Sequence, residues 1–442
     1  MNRHKENDNV RSGSHWFQRF RVRGGGSHRR VRGSRGESRN VVARPPQPAV
    51  TSLTITALIP AFNERDGIGD TIRSLQQQEM PFDEIIVVDD GSSDGTGEIA
   101  RSYGVTVITP PANLGSKARA QNYGLPYVST DLVIPVDADT VFAPDYVRLI
   151  KAPFTNPNVA IAAGAVQTRF TKTVWERARW IEYHVGFNWF RPIQAAWNAP
   201  MVCSGCCTAF RVDMLRDFGG FPERTIVEDI DYTWSQQIMG RRAVYVGEAI
   251  AYAAEPVNAK YMAKQLWRWK SGMFQNVRQH GVNLVRRKPA LALWVFLSLW
   301  ETLLSPVTLA LPVWWVVGLH HTVLSVAGWW VLSETAVYGP PTIYAWWKRG
   351  INPLQVLANY PAFYVLKCLN FWFDWKAIVN ELVLVPLGLS KGLHQYEKGR
   401  ADTLGVPVSA LSAGLLTDAV TLTLPILRVH GPEVTAELPL VR

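Results

Sequence analysis

The chain has only four cysteines in 442 residues, and no H-x₃₋₅-H pair accompanies them. Cys203, Cys206 and Cys207 contain a C-x-x-C, while Cys368 stands apart in an apolar segment. A zinc site built on them lacks the second ligand pair it normally has, so free thiols are the better reading, and free thiols suit a reducing cytoplasm. The first fifty residues contain no apolar run of signal-peptide length. Net positive charge is also scarce over most of the chain. Residues 1–44 hold twelve Lys and Arg against Glu6, Asp8 and Glu37, a balance of +9 within a formal total of +10. The rest is nearly neutral, which disfavours a folded nucleic-acid surface.

What is present begins with that basic tail. Its centre, "RVRGGGSHRRVRGSRGES", is poor in apolar residues and shows no sustained periodicity, so it is expected to be disordered. Its arginines suit the anionic leaflet of a membrane at roughly 1 kcal/mol each, with RNA as the alternative ligand. Pro45, Pro46 and Pro48 mark a linker, which sets off residues 1–50.

From residue 53 short apolar runs alternate with amphipathic segments. Strands are predicted at "LTITALIP", "DEIIVVDD", "VTVIT", the run ending at Asp137, and "VAIAAGAV". Helices are predicted over 65–79, 95–103, 116–127 and 144–153. Strand and helix repeating in this way imply an α/β domain whose sheet is mostly parallel and covered on both faces. Ligands of such a sheet bind beyond the carboxyl ends of its strands. Polar residues gather there: Asn63 and Glu64, Asp89 and Asp90, and Asp137 and Asp139.

The last pair closes the buried-strand pattern of "DLVIPVDADTVFAPDYV". Buried strands do not normally end in uncompensated negative charge, so a positive ligand is expected; the alternative is a helix N-cap at Asp139. A second acidic pair, Glu228 and Asp229, lies in "RTIVEDIDYTW". In "QLWRWKSG", spacings of three and four put Gln265, Arg268 and Trp269 on one helix face. An acidic helix start and an interfacial helix are the plainer readings of these two segments.

In order, "IPAFNE", "VVDDGSSDGT", "NLGSKARAQN", "VDADT", "CSGCCTAFR", "VEDIDYTW" and "QLWRW" resemble the membrane-bound family 2 glycosyltransferases with a GT-A fold. The similarity is nearest to poly-β-1,6-N-acetylglucosamine synthases and more distant to chitin-oligosaccharide, hyaluronan and cellulose synthases. It covers about residues 54–272. One departure is Gly115-Ser116-Lys117, where the family has adjacent glycine and lysine.

The resemblance implies an inverting β-glycosyltransferase that moves a sugar, N-acetylglucosamine above others, from a UDP-sugar to a growing polysaccharide. Transfer of one sugar to a lipid or short glycan is the alternative. Glu64, Asp89, Asp90, Lys117, Asp137 and Arg268 would bind the donor, and Asp139 with Asp137 would hold Mg²⁺ or Mn²⁺. Asp229 would be the general base, assisted by Glu228. Ser204, Gly205, Gln265 and Trp269 would meet the acceptor.

Beyond a catalytic domain at 51–285, an α-helical transmembrane region is expected over 286–390, followed by a tail at 391–442. From Pro289 to Leu319 the only formal charge is Glu301, and further candidate spans cover 322–347, with Glu334, and 354–373, with Lys367. A buried soluble core is the alternative, but "GWW" and "AWWK" favour membrane interfaces. Arg286, Arg287, Lys288, Lys348 and Arg349 are expected on the cytoplasmic side, as is the catalytic domain. Glu301, Glu334 and Lys367 would pair with one another or line a sugar path. No span precedes the catalytic domain in this sequence, so a channel for polymer would need a small membrane subunit or a homo-oligomer.

Overall fold

The computed structural model describes residues 52–318 and 322–392, without the side chains of 301, 305–313, 318, 327, 330 and 334. The expectations for the basic tail, its linker, nearly all of the carboxyl-terminal tail and the side chains of Glu301 and Glu334 lie outside this range.

The order is β1 (Ile55–Ala61), α1 (Arg65–Gln76), β2 (Glu84–Asp89), α2 (Thr96–Ser102), β3 (Thr106–Ile108), α3 (Lys117–Gly124), β4 (Leu132–Pro135), β5 (Thr140–Phe142), α4 (Tyr146–Lys151) and β6 (Val159–Thr168). Then come α5 (Val174–Val185), α6 (Arg191–Ala196), β7 (Thr208–Arg211), α7 (Val212–Asp217), α8 (Glu228–Ile238), β8 (Arg242–Ala253), α9 (Ala259–Arg287), α10 (Pro289–Gly318), α11 (Val323–Arg349) and α12 (Pro353–Ala377).

One eight-stranded sheet runs β3-β2-β1-β4-β7-β6-β8-β5. Strands β1, β2, β3 and β4 pair in parallel, as do β6 and β8, and β7 and β5 run against their neighbours. The sheet is mostly parallel, as expected, with two reversals that the strand pattern did not reveal. Strands β5 and β7 have three and four residues, too few to show a period of two. The predicted helix over 116–127 stops at Gly124, and a single 3₁₀ turn containing Pro126, which has no backbone N–H to donate, completes it.

Burial explains the central strands. In β1, Ile55, Ala57, Ile59 and Ala61 face one core with Ile68, Ile72 and Leu75 of α1, while Leu58 faces a second core with Ala118 and Ala120 of α3. In β4, Leu132 and Ile134 follow the first core and Val133 the second. Each buried Ile, Leu or Val contributes about 1.5–3 kcal/mol, and this two-sided burial is why the strands read as unbroken apolar runs. The registers Ala61↔Asp89 and Leu58↔Pro135 align the carboxyl ends of β1, β2 and β4 along one edge.

Helices occupy the three apolar segments after residue 288. Thr322 and Asn352 cap α11 and α12 through their side chains, and Gly350, at φ +64°, ends α11 in the left-handed region. Among the described residues, no helix is long and apolar enough to cross a membrane. Helix α12 packs on α5 and α9, with Ala362, Leu366 and Phe373 against Ala178, Met262 and Leu266.

Candidate active site

The loops that follow β1 and β2 are fastened to each other. Asn63 adopts φ +54°, accepts from the Ser93 amide at 2.9 Å and donates its own amide to Ser92 Oγ at 3.0 Å. The Glu64 amide donates to Thr96 Oγ1 at 2.9 Å, and Asp89 Oδ1 accepts from the Ser92 amide at 3.0 Å. Asp90 Oδ1 accepts from the Leu114 amide at 2.7 Å. Burial pushes the Asp90 carboxyl above its ordinary range, opposed by the Leu114 amide and reinforced by Asp89. Glu64, Asp89 and Asp90 are each buried and lie outside the lining of the large cavity described below.

Asp137 and Asp139 occupy the turn between β4 and β5, where the Thr140 amide donates to Asp137 O at 3.0 Å. Asp139 is not a helix cap: α4 starts after Asp145. Helix α1 holds this turn through Thr71 Oγ1, which donates to Ala138 O at 2.9 Å. Gly67 permits the approach, since a Cβ there would lie 2.9 Å from Ala138 O. Gly67 and Thr71, one helical turn apart, were missed in the sequence; the small residues at a spacing of four were the available sign.

Lys117 begins α3, after the Ser116 side chain caps the helix by accepting from the Arg119 amide at 3.2 Å. Its Nζ lies 2.5 Å from Asp137 Oδ1 and 3.9 Å from Glu228 Oε1, and donates to Gly205 O at 3.4 Å. Burial alone would lower the Lys117 pKa, but Asp137 and Glu228 outweigh it and hold the ammonium well above its ordinary value. Gly205 in turn donates its amide to Asp229 Oδ2 at 2.9 Å, while Asp229 Oδ1 accepts from the Ile230 amide at 2.8 Å. A Cβ on Gly205 would stand 3.3 Å from Asp229 Cβ, so a larger residue would crowd this carboxylate. Ser204 O accepts from Thr208 Oγ1 at 2.7 Å, which closes the same loop. Burial pushes the Glu228 carboxyl up, with Lys117 opposing and Asp229 adding.

These groups open on a cavity of about 990 Å³ that also contains Gln265, Arg268 and Trp269 of α9 in its lining. Sequence reasoning missed what holds that face of α9. Arg179 of α5 is 1% exposed, donates Nη2 to Gln265 Oε1 at 2.8 Å and lies 4.8 Å over the Trp269 ring. It is ion-paired with Glu182 and lies 3.4 Å from Glu255. A pair of opposite charges three residues apart, Arg179 and Glu182, was the sign in the sequence. Across the cavity, Tyr338, Phe363, Lys367, Asn370, Phe371 and Asp374 form a wall from α11 and α12. That wall is tied down by Asn370 Nδ2 donating to Glu182 Oε1 at 3.1 Å and by Lys270 pairing with Asp374 at 2.8 Å.

The cysteines contribute bulk. Cys203 and Cys207 are buried free thiols, and burial pushes Cys203 up to about 12. Among the described residues no group of three or more His, Cys, Asp and Glu could enclose a metal ion. Two carboxylates on one turn, Asp137 and Asp139, are still a fitting donor set for Mg²⁺ or Mn²⁺. Mg²⁺ in particular keeps its waters and is bound through one or two carboxylates together with substrate phosphates.

Comparison with known proteins places part of the chain in a family. Residues 56–219 match the family described as Glycosyl transferase family 2. A poly-β-1,6-N-acetyl-D-glucosamine synthase of Staphylococcus epidermidis is 30% identical over 225 residues, 49% of this chain and 54% of the relative. The chain thus spans about half the length of that curated relative. An uncharacterised glycosyltransferase of Escherichia coli, YaiP, is 28% identical over 75% of this chain and 84% of its own. Among solved structures, a mannosyltransferase from Pyrobaculum calidifontis in complex with GDP-Man and Mn²⁺ superposes with a TM-score of 0.52 at 20% identity, over 73% of this chain and 88% of that one. At that identity the likeness is one of fold.

Proposed function

We propose, for a chain that carries a family 2 glycosyltransferase domain, that it transfers N-acetylglucosamine from UDP-N-acetylglucosamine to a growing glycan, with inversion, at the cytoplasmic face of the inner membrane. The observation that carries this reading is the convergence of Asp137, Asp139, Lys117, Asp229, Arg268 and Trp269 on one cavity. Glu64, Asp89 and Asp90 recognise the uridine. Asp139 and Asp137 would hold a divalent cation, which would supply charge neutralisation for the diphosphate. Lys117 and Arg268 add positive charge on the leaving side, and Trp269 offers a flat face to the acceptor sugar beside Gln265. Asp229, aimed by the Gly205 and Ile230 amides, takes the proton of the acceptor hydroxyl as that oxygen attacks the anomeric carbon. One carboxylate suffices for a single displacement, and Glu228 orients it.

Membrane placement is supported by the apolar surface of the last helices, where Leu293, Phe296, Trp300, Trp314, Trp329 and Trp347 are exposed. Lipid covers part of that surface, and a second copy or a small membrane subunit covers the rest. A second reading, transfer of one sugar to a lipid-linked acceptor, is favoured by the apolar share of the cavity wall: Met273, Leu299, Phe363 and Phe371. Membranes containing the protein, fed a panel of UDP-sugars and examined by mass spectrometry, test both. A ladder of N-acetylglucosamine oligomers is expected; a single addition to an organic-phase product supports the second reading, and no UDP release with any sugar refutes both.

A further inference from the structure

Lys117 neutralises, from within the chain, a carboxylate that a divalent cation would use. Its Nζ is 2.5 Å from Asp137 Oδ1, a charge-assisted contact in the lining of the cavity. The lysine is mostly buried, with 19% of its side chain exposed, so water screens the pair weakly. A bare cation arriving at Asp137 would meet this ammonium, and two positive charges a few ångström apart in a partly dry cavity oppose each other strongly. A cation chelated by a diphosphate meets no such conflict, because the phosphate oxygens offer Lys117 a replacement partner at the same moment.

We propose that Lys117 is a resident counter-ion that keeps Asp137 closed to a free divalent cation, so that metal and nucleotide enter as one unit. The inference rests on the donor role given to Asp137 and Asp139 above. The extra residue Ser116 contributes: it caps α3 and makes Lys117 the first residue of that helix. The same ammonium donates to Gly205 O at 3.4 Å, and the Gly205 amide holds Asp229 at 2.9 Å. Transfer of Lys117 from Asp137 to phosphate is therefore felt at the loop that aims the base, which couples a filled donor site to a positioned Asp229.

The test is Mn²⁺ binding to the nucleotide-free protein in detergent, read by the electron paramagnetic resonance signal of free Mn²⁺, then repeated with saturating UDP. Lys117→Met and Lys117→Gln remove the charge at similar length, and Lys117→Arg keeps it. Both neutral variants are expected to bind Mn²⁺ alone about tenfold or more tightly than wild type, with weaker UDP binding, while Lys117→Arg stays near wild type. A gain in metal affinity is an outcome that loss of a merely structural ion pair would not produce. Unchanged or weaker Mn²⁺ binding in both folded neutral variants, with Mn²⁺-dependent UDP binding intact in wild type, overturns the counter-ion role alone. Absence of Mn²⁺-dependent UDP binding in wild type overturns that role and the donor reading together.

Discussion

Asp229 and Asp139 are the residues on which the proposed chemistry turns, and each carries a distinct expectation. Asp229→Asn preserves shape and one acceptor oxygen, but the amide cannot take a proton from the acceptor. UDP binding should survive while transfer falls by at least the roughly 10²–10⁴-fold attributed to general-base catalysis; near-normal turnover in this variant would remove Asp229 from the mechanism. Asp139→Ala should weaken UDP binding chiefly when Mg²⁺ or Mn²⁺ is present, and EDTA should lower wild type to the level of the variant. Calorimetric titration of UDP with and without metal decides it, and equal binding in all four cases would leave the β4–β5 turn without a metal role. Both residues stood out in the sequence because acidic pairs close apolar runs there. Arg179 did not, because its importance comes from Gln265 and Trp269, residues far along the chain that only folding brings to it.

Helix α5, which carries Arg179, also contains a histidine buried without charge. His184 donates Nδ1–H to Trp180 O at 2.7 Å, and burial, with the nearby Arg349 charge adding, lowers its pKa to about 4 despite that bond. The unfolded chain binds a proton at this residue near pH 6.5, before the folded one does. Stability from this group is therefore complete above about pH 6.5 and is lost as pH falls toward about 4, by up to about 3 kcal/mol. His184→Asn, which can still donate to Trp180 O, should flatten that part of the melting-temperature profile; an unchanged slope between pH 6.5 and 4 would show that other groups dominate it. Helix α1 and the Gln265–Trp269 face of α9 are legible from spacing, whereas their distance from other elements is not. Gly272 of α9 faces the segment that leads into α8, where a Cβ would lie 2.7 Å from Val227 Cγ1, and nothing in a helical pattern announces so close an approach.

For the whole molecule, the balance of charge and apolar surface predicts membrane attachment by two routes. The first 44 residues carry most of the net positive charge, and the last helices expose Trp, Phe and Leu. Deleting residues 1–44 should reduce binding to anionic vesicles at low salt, leave turnover in detergent unchanged, and leave a salt-resistant attachment through the helices. Vesicle sedimentation across a salt series measures this. Loss of the low-salt difference between full-length and shortened protein would show that the tail has no such role.

Periodicity and turn residues by themselves determined the alternation of β1, β2, β3, β4 and β6 with their helices, the starts of α10, α11 and α12, and the acidic residues at the strand ends. These are local properties: a two-sided buried strand must be apolar, and a charge at its end must be solvated or paired. Tertiary structure alone decided that β7 and β5 run antiparallel and that Arg179 braces Gln265 and Trp269. It alone also decided that Lys117 reaches Asp137, Glu228 and Gly205 together. The partners in these contacts lie 20 to more than 100 residues apart, and which of them meet depends on strand order and helix packing, quantities that no window of sequence encodes.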